Sequence, residues 1–267
     1  MTVPSSIKQI IDIAGGWARI KSSGPFYLFM LFIFALMTIT GIASGIHALF
    51  IVGSRHAYNT YREIPLAIQI ATYAFFIGAS TGIYLISAIG HVFGVRRFMP
   101  IAKRTVFLAI ITILSGYLVI GLEIENPVRM LIYNITSPNL SSNIWWMAAL
   151  YALFLIFMLT NFLFLLLGKH RIASIAGFLG VIAVVAADSN MGGVFAMMHG
   201  REFWYGPFLP VYFIASALMT GCAFILFFTL WAYRIKHESL EAETAGVLEL
   251  ISKLAILMVA TVMFFTF

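Results

Sequence analysis

Seven apolar runs, each long enough to cross a bilayer, occupy residues 26–53, 64–94, 101–124, 143–168, 172–190, 207–233 and 245–267. A hydrocarbon core takes about 20 apolar residues as a helix. Backbone in lipid must satisfy its own amides and carbonyls, which leaves helices or a closed barrel. The runs are continuous rather than alternating, which argues against barrel strands. The expected fold is therefore all-α, a polytopic transmembrane helix bundle of about seven spans. At 267 residues, 62% hydrophobic and only 10% charged, the chain has little length left for a water-soluble domain. Residues 1–25 read as an N-terminal arm and residues 26–267 as the bundle.

Charge decides the orientation. Eleven of the sixteen Lys and Arg lie on one side: Lys8, Arg19 and Lys21 in the arm, Arg96, Arg97, Lys103 and Arg104 between the second and third runs, Lys169 and Arg171, and Arg234 and Lys236. The other side holds Arg55, Arg62, Arg129 and Arg201, and Lys253 falls within the last run. The positive-inside rule places the arm and the eleven in the cytoplasm. The same distribution accounts for the net charge of +6 without nucleic acid as a partner. The arm is too polar for the core of a signal peptide, so no cleaved leader is expected.

Loop residues fit this arrangement. Ser141, Ser142 and Asn143 are N-cap types before the fourth run. Trp145 and Trp146 then fall at the outer interface, as do Trp204 and Tyr205 ahead of Pro207. Residues 129–136 have the size of a short interfacial helix. Gly41 and Gly45, and Gly78 and Gly82, share the four-residue spacing that lets helices pack closely.

The chemistry-bearing residues narrow the function. Cys222 is the single cysteine, which excludes an internal disulfide and a Cys-ligated iron–sulfur cluster within the chain. No haem-attachment motif is present, and although His47, His56 and His199 on the outer side could in principle supply a haem-ligating pair, no pair stands out, so neither haem nor metal is expected. His91, His170 and His237 read as solvated helix ends. Polar groups gather instead on the outer side. Glu123 closes the third run, and Asp188, Ser189 and Asn190 close the fifth, each after an unbroken apolar stretch. An ionisable group in a span costs roughly 2.5–3.5 kcal/mol on insertion scales, so Glu123 and Asp188 read as functional. Glu63, Glu125 and Glu202 read as loop charges. Gln69 and Tyr73 lie further inward along the second run. The expected site is a pocket for an amphipathic ligand whose head group exchanges protons.

Several segments together resemble a known family. They are Ile64-Pro65-Leu66-Ala67-Ile68-Gln69 leading into Tyr73 and Gly78-Ala79-Ser80-Thr81-Gly82, then Ser137-Pro138-Asn139 through Trp145-Trp146, then Arg201-Glu202-Phe203-Trp204-Tyr205-Gly206-Pro207 through Gly221. In this order they resemble the NrfD/PsrC family of quinone-interacting integral membrane subunits, most like the DsrP-type subunit of sulfite-reduction-associated complexes. The resemblance implies a subunit of the cell (inner) membrane in anaerobic respiration and sulfur metabolism. It implies a bound menaquinone or other quinone near the extracytoplasmic face, with no haem or iron–sulfur cluster in the chain. A ferredoxin-like iron–sulfur subunit on that face and other membrane redox subunits are the implied partners. Quinone contacts in the polysulfide-reductase relative correspond to Gln69–Tyr73, with Tyr73 standing where that relative has histidine. The family's acidic residue before a proline–arginine loop corresponds to Glu123, ahead of Pro127 and Arg129. The outer cluster supplies the remaining candidates: catalytic Glu123 and Asp188, and quinone-binding Gln69, Tyr73, Asn190, His199, Arg201 and Trp146. Members usually have eight to ten spans, so a further C-terminal portion is expected beyond Phe267.

Two other functions compete with this reading. A secondary transporter predicts inverted repeats and charges at the midplane, and neither is evident. A passive anchor predicts no quinone site.

Overall fold

A computed structural model describes residues 24–53, 56–57, 68–124, 126–198, 205–236 and 239–266. Among these residues the chain is helical, and seven helices are long and apolar enough to cross a membrane. Helix α1 spans Pro25–His47 and ends in a wider π turn, Ala48–Val52. Helix α2 is Ile68–His91, and a 3-10 turn at Arg96–Phe98 leads into α3, Met99–Glu123. A short α4, Pro127–Thr136, precedes α5, Asn143–Leu166. Helices α6 (His170–Ala196), α7 (Leu209–Lys236) and α8 (Ala242–Thr266) follow. The end holding the Arg96–Phe98 turn is called the basic end, and the end holding α4 the opposite end.

Local chemistry sets the helix bounds. Pro25 and Pro127 sit in first turns, where a missing amide proton costs nothing. The Ser142 side chain caps α5 by accepting from the Trp145 amide at 3.4 Å. Gly168, at φ 71°, closes the far end of α5, with the Lys169 amide donating to the Phe164 carbonyl at 3.0 Å.

Helix α2 is central. Residues 79–84 are all buried, as it packs against α3, α6 and α7. Two hydroxyls tie it to α3: Ser80 donates to the Ala109 carbonyl at 2.8 Å and Ser87 to the Ala102 carbonyl at 3.1 Å. Its glycines face α7, where Ala217 and Gly221 repeat the same four-residue spacing. A Cβ on Gly82 would collide with the Ala217 carbonyl, and one on Gly221 would collide with the Gly82 backbone. Close approach of this kind replaces the hydrophobic drive that helices lack inside a bilayer.

Four expectations change. Gly41 meets nothing within 4 Å, and Gly45 meets only the Leu122 side chain, so the first glycine pair does not join two helix backbones. Helix α7 begins at Leu209 rather than Pro207, because the chain turns at 206–208 and Pro210 takes the first-turn place. Helix α6 does not stop at Asn190 but continues to Ala196. Gly192 permits this, since a Cβ there would lie 2.6 Å from the Pro210 Cα. Asp188 is therefore not a terminal residue, and sits about 12 Å inside the helix at 1.5 Å per residue. His91 is not a solvated end: its Nδ1 lies 2.9 Å from the Ser87 carbonyl, and its buried Nε2 has no partner among the described residues. His170 is exposed as expected, and His237 lies outside the described residues.

Candidate functional site

Asp188 lies in the interior of the bundle and is 0% exposed. Its neighbours on α6, Ala187 and Met191, are also buried. Helix α5 supplies its partner: the fully buried Tyr151 hydroxyl donates to Asp188 Oδ1 at 3.1 Å. The Met191 sulfur lies 3.8 Å from the same hydroxyl. Thr81 on α2 is a further polar neighbour. Its hydroxyl donates to the Ile77 carbonyl at 3.1 Å, so its one proton has two competing acceptors. Asp188 Oδ2 has no hydrogen-bond partner among the described residues. A buried polar atom left so is costly, and it marks a place where a ligand or water would be held.

A cavity of about 230 Å³ adjoins this carboxyl. Helix α2 contributes Ala71, Phe75 and Gly78, α6 contributes Asp188 and Met191, and α7 contributes Tyr212, Ser216 and Thr220. Ala71 and Phe75 are exposed, the latter by 51%, so the cavity borders the exposed surface along α2. Asp188 is the one ionisable carboxyl in an otherwise apolar and hydroxyl-bearing lining. Pockets for drug-sized ligands run to roughly 300–1,000 Å³, so this one suits a single ring rather than a long chain.

Two more tyrosines stand near. Tyr73 on α2 is buried, Tyr117 on α3 is half-buried, and both lie within electrostatic range of Tyr151. Gln69 is one helical turn from Tyr73, and its buried Oε1 has no partner among the described residues. Glu123 Oε2 is in the same condition at the end of α3. The register set by the Ser80–Ala109 and Ser87–Ala102 bonds, carried to the opposite end, brings Gln69 level with the last turn of α3.

The remaining expected residues are placed differently. The Asn190 amide donates to the Asn143 carbonyl at 2.8 Å, tying α6 to the start of α5. The Trp146 indole donates to the Leu140 carbonyl at 2.9 Å, and its neighbour Trp145 donates to the Asn134 carbonyl at 2.9 Å. Both indoles thereby fasten the segment around α4. His199 and Arg201 lie outside the described residues. Among the described residues no group of three or more His, Cys, Asp or Glu is placed to hold a metal ion.

Tyr151 and Thr81 are neighbours of Asp188 that the sequence does not single out. A hydroxyl in mid-span must find a partner, and Tyr151 sits in an apolar run opposite the run that carries Asp188. That signal is present in the sequence, though only the antiparallel register of α5 and α6 turns it into a contact.

The family described as polysulphide reductase, NrfD, matches residues 56–267. The chain belongs to the NrfD family. It is 24% identical over 200 residues to a selenate reductase subunit of Mesobacillus selenatarsenatis, covering 59% of this chain and 46% of that one. It is 24% identical over 198 residues to an Hdr-like menaquinol oxidoreductase integral membrane subunit of Archaeoglobus fulgidus, covering 71% and 48%. A putative dimethyl sulfoxide reductase membrane subunit of Halobacterium salinarum is 23% identical over 231 residues, covering 76% and 51%. The chain thus spans about half the length of these relatives. Family and helices together make this NrfD chain a multi-pass integral membrane protein.

Proposed function

We propose that this chain is the quinone-binding membrane subunit of a respiratory redox complex. It exchanges electrons between the membrane quinone pool and an extracytoplasmic iron–sulfur partner subunit. The observation that carries this reading is Asp188, a fully buried carboxylate with one oxygen unpartnered among the described residues, lining a cavity beside the exposed edge of α2. A lipid-soluble ligand with a polar ring has these needs: a lateral entrance from the bilayer, a slot for one ring, and a group that takes or gives a proton. The relative named as a menaquinol oxidoreductase subunit supports the same class of ligand.

A quinone, when bound, supplies the two-electron, two-proton chemistry. Asp188 is the acid–base group, accepting a proton from a ring hydroxyl or returning one to a ring oxygen. Tyr151 orients the Asp188 carboxyl through its hydrogen bond. Gln69 and Tyr73 lie on α2 outside the cavity's lining, so the second ring oxygen is met by the hydroxyls of Tyr212, Ser216 and Thr220 on α7. Glu123 is the second carboxylate, at the opposite end of the bundle, and this end is extracytoplasmic if the basic end obeys the positive-inside rule. Asn190 and Trp146 support the site through the loop they fasten, and His199 and Arg201 are its proposed contacts from the following segment. Iron–sulfur and other membrane redox subunits are the proposed partners.

A passive anchor has no use for a carboxylate that costs several kcal/mol to bury. A transporter predicts inverted repeats, and none is evident in the sequence. Solvent extraction of the purified chain separates the readings. About one quinone per chain is expected, and extracts free of quinone from chain purified in quinone-containing membranes would refute the proposal.

A further inference from the structure

Helices α2 and α7 touch at one level and part at the next. At Gly82 the two backbones meet, and a Cβ there would collide with the Ala217 carbonyl. Gly78 lies one turn nearer the opposite end and makes no such contact. Among the described residues outside its own helix, a Cβ on Gly78 would meet only the Ala217 Cβ, at 4.0 Å, which is ordinary van der Waals separation. Gly78 instead lines the cavity of about 230 Å³, with Ala71, Ala74 and Phe75 on the same helix and Ser216 and Ala217 on α7.

Glycine inside a helix costs stability against alanine, because its backbone gives up more freedom on folding. Close approach of α7 accounts for Gly82. It does not account for Gly78, where a methyl group would fit between the helices. The cavity does account for it. We propose that Gly78 is the specificity-determining residue of the ligand site: its missing side chain gives a quinone ring room to lie against bare α2 backbone within reach of Asp188. The inference rests on the quinone reading and adds the residue that limits the bulk of the ring.

The surroundings support this. Asp188 lines the same cavity from α6, is 0% exposed, and has Oδ2 without a partner among the described residues, so a polar group faces whatever lies there. Along α2 the lining runs from exposed Ala71 and Phe75, through half-buried Ala74 and Gly78, to buried Ala79. Gly78 therefore stands where the cavity passes from its exposed rim into the interior. The facing wall is held in place. Phe213 of α7, which also lines the cavity, stacks on Phe195 of α6 with ring planes 17° apart and centroids 5.5 Å apart. Thr220 donates to the Ser216 carbonyl at 2.8 Å. Bulk added at Gly78 is thus felt by the ligand rather than taken up by α7, since packed interiors yield little.

The test sets a methyl group on the protein against methyl groups on the ligand. The intact complex containing this chain is titrated with 2-methyl-1,4-benzoquinone and with tetramethyl-1,4-benzoquinone, which share one ring and differ in bulk. Thermal unfolding of the same samples reports stability. Gly78→Ala should leave the melting temperature at or above that of wild type. It should weaken the tetramethyl quinone by about tenfold or more, the usual effect of one methyl group in a ligand pocket, and the monomethyl quinone by about threefold at most. A glycine needed for packing gives the opposite split, a lowered melting temperature with both affinities changed alike, as Gly82→Ala should show. That split in Gly78→Ala, or its failure to assemble, overturns the inference. Unchanged affinity of Gly78→Ala for both quinones, with both bound by wild type, overturns the role of Gly78 alone. Binding of neither quinone by the wild-type complex overturns the quinone reading and this inference with it.

Discussion

The Tyr151 hydroxyl donates to Asp188 Oδ1 at 3.1 Å, joining α5 to α6 in the interior of the bundle. The bond holds a fully buried carboxyl whose second oxygen has no partner among the described residues. Changing Asp188 to Asn keeps an acceptor for Tyr151 but removes the titrating proton site. Asp188→Asn should slow quinol turnover by about 10²–10⁴-fold, with quinone binding changed much less. Glu123→Gln should slow it less, because Glu123 lies farther from the cavity. Steady-state kinetics on both variants, beside a binding titration, check the order. Normal turnover in Asp188→Asn would move the acid–base group elsewhere.

Helix packing offers an independent test. A Cβ at Gly82 collides with the Ala217 backbone, whereas one at Gly41 meets nothing within 4 Å. Gly82→Ala should destabilise the chain by about 1–3 kcal/mol, the usual cost of overpacking, and Gly41→Ala should leave stability near that of wild type. Thermal unfolding in detergent measures both, and equal melting temperatures would contradict the α2–α7 contact.

These two sites show what is and is not legible in the sequence. Span number and the Gly78–Gly82 spacing are legible, because lipid demands long apolar helices and close approach demands small residues. Which glycine pair meets a partner is not, since Gly41 and Gly45 carry the same pattern on a helix with only Gly45 buried. Asp188 is visible as a costly residue in an apolar run, but its depth is not. The run 172–190 gives no sign that Met191–Ala196 continues the helix, and that extension depends on Gly192 lying against Pro210. Tyr151 is legible only as a hydroxyl within a span that needs a partner, and nothing in its own run says which. Its role comes from a partner 37 positions away.

Orientation follows from the Lys and Arg distribution. Cys222 is buried, so the native thiol should give little background to an impermeant maleimide. A cysteine placed at Arg97 should stay unlabelled in intact cells, and one at Ser141 should be labelled. The reverse pattern would put Glu123 on the cytoplasmic side and remove the proposed docking face.

The isolated chain should show no Soret band and no stoichiometric iron. His47, His56 and His170 are exposed, and His91 Nδ1 is engaged with the Ser87 carbonyl. Absorption spectroscopy and elemental analysis of the purified chain decide this. A stoichiometric haem would require a histidine pair that the described residues do not form.

The central claim is that a quinone ring occupies the cavity beside Asp188. The most direct test is photolabelling of the membrane-embedded chain with a short-chain azidoquinone, followed by mass-spectrometric mapping of the modified residues. The account predicts label on α2 near Ala71–Ala79, on α6 at Asp188–Met191 and on α7 near Tyr212–Thr220, competed away by unlabelled menaquinone. Competable labelling confined to other helices, or none at all, would contradict it.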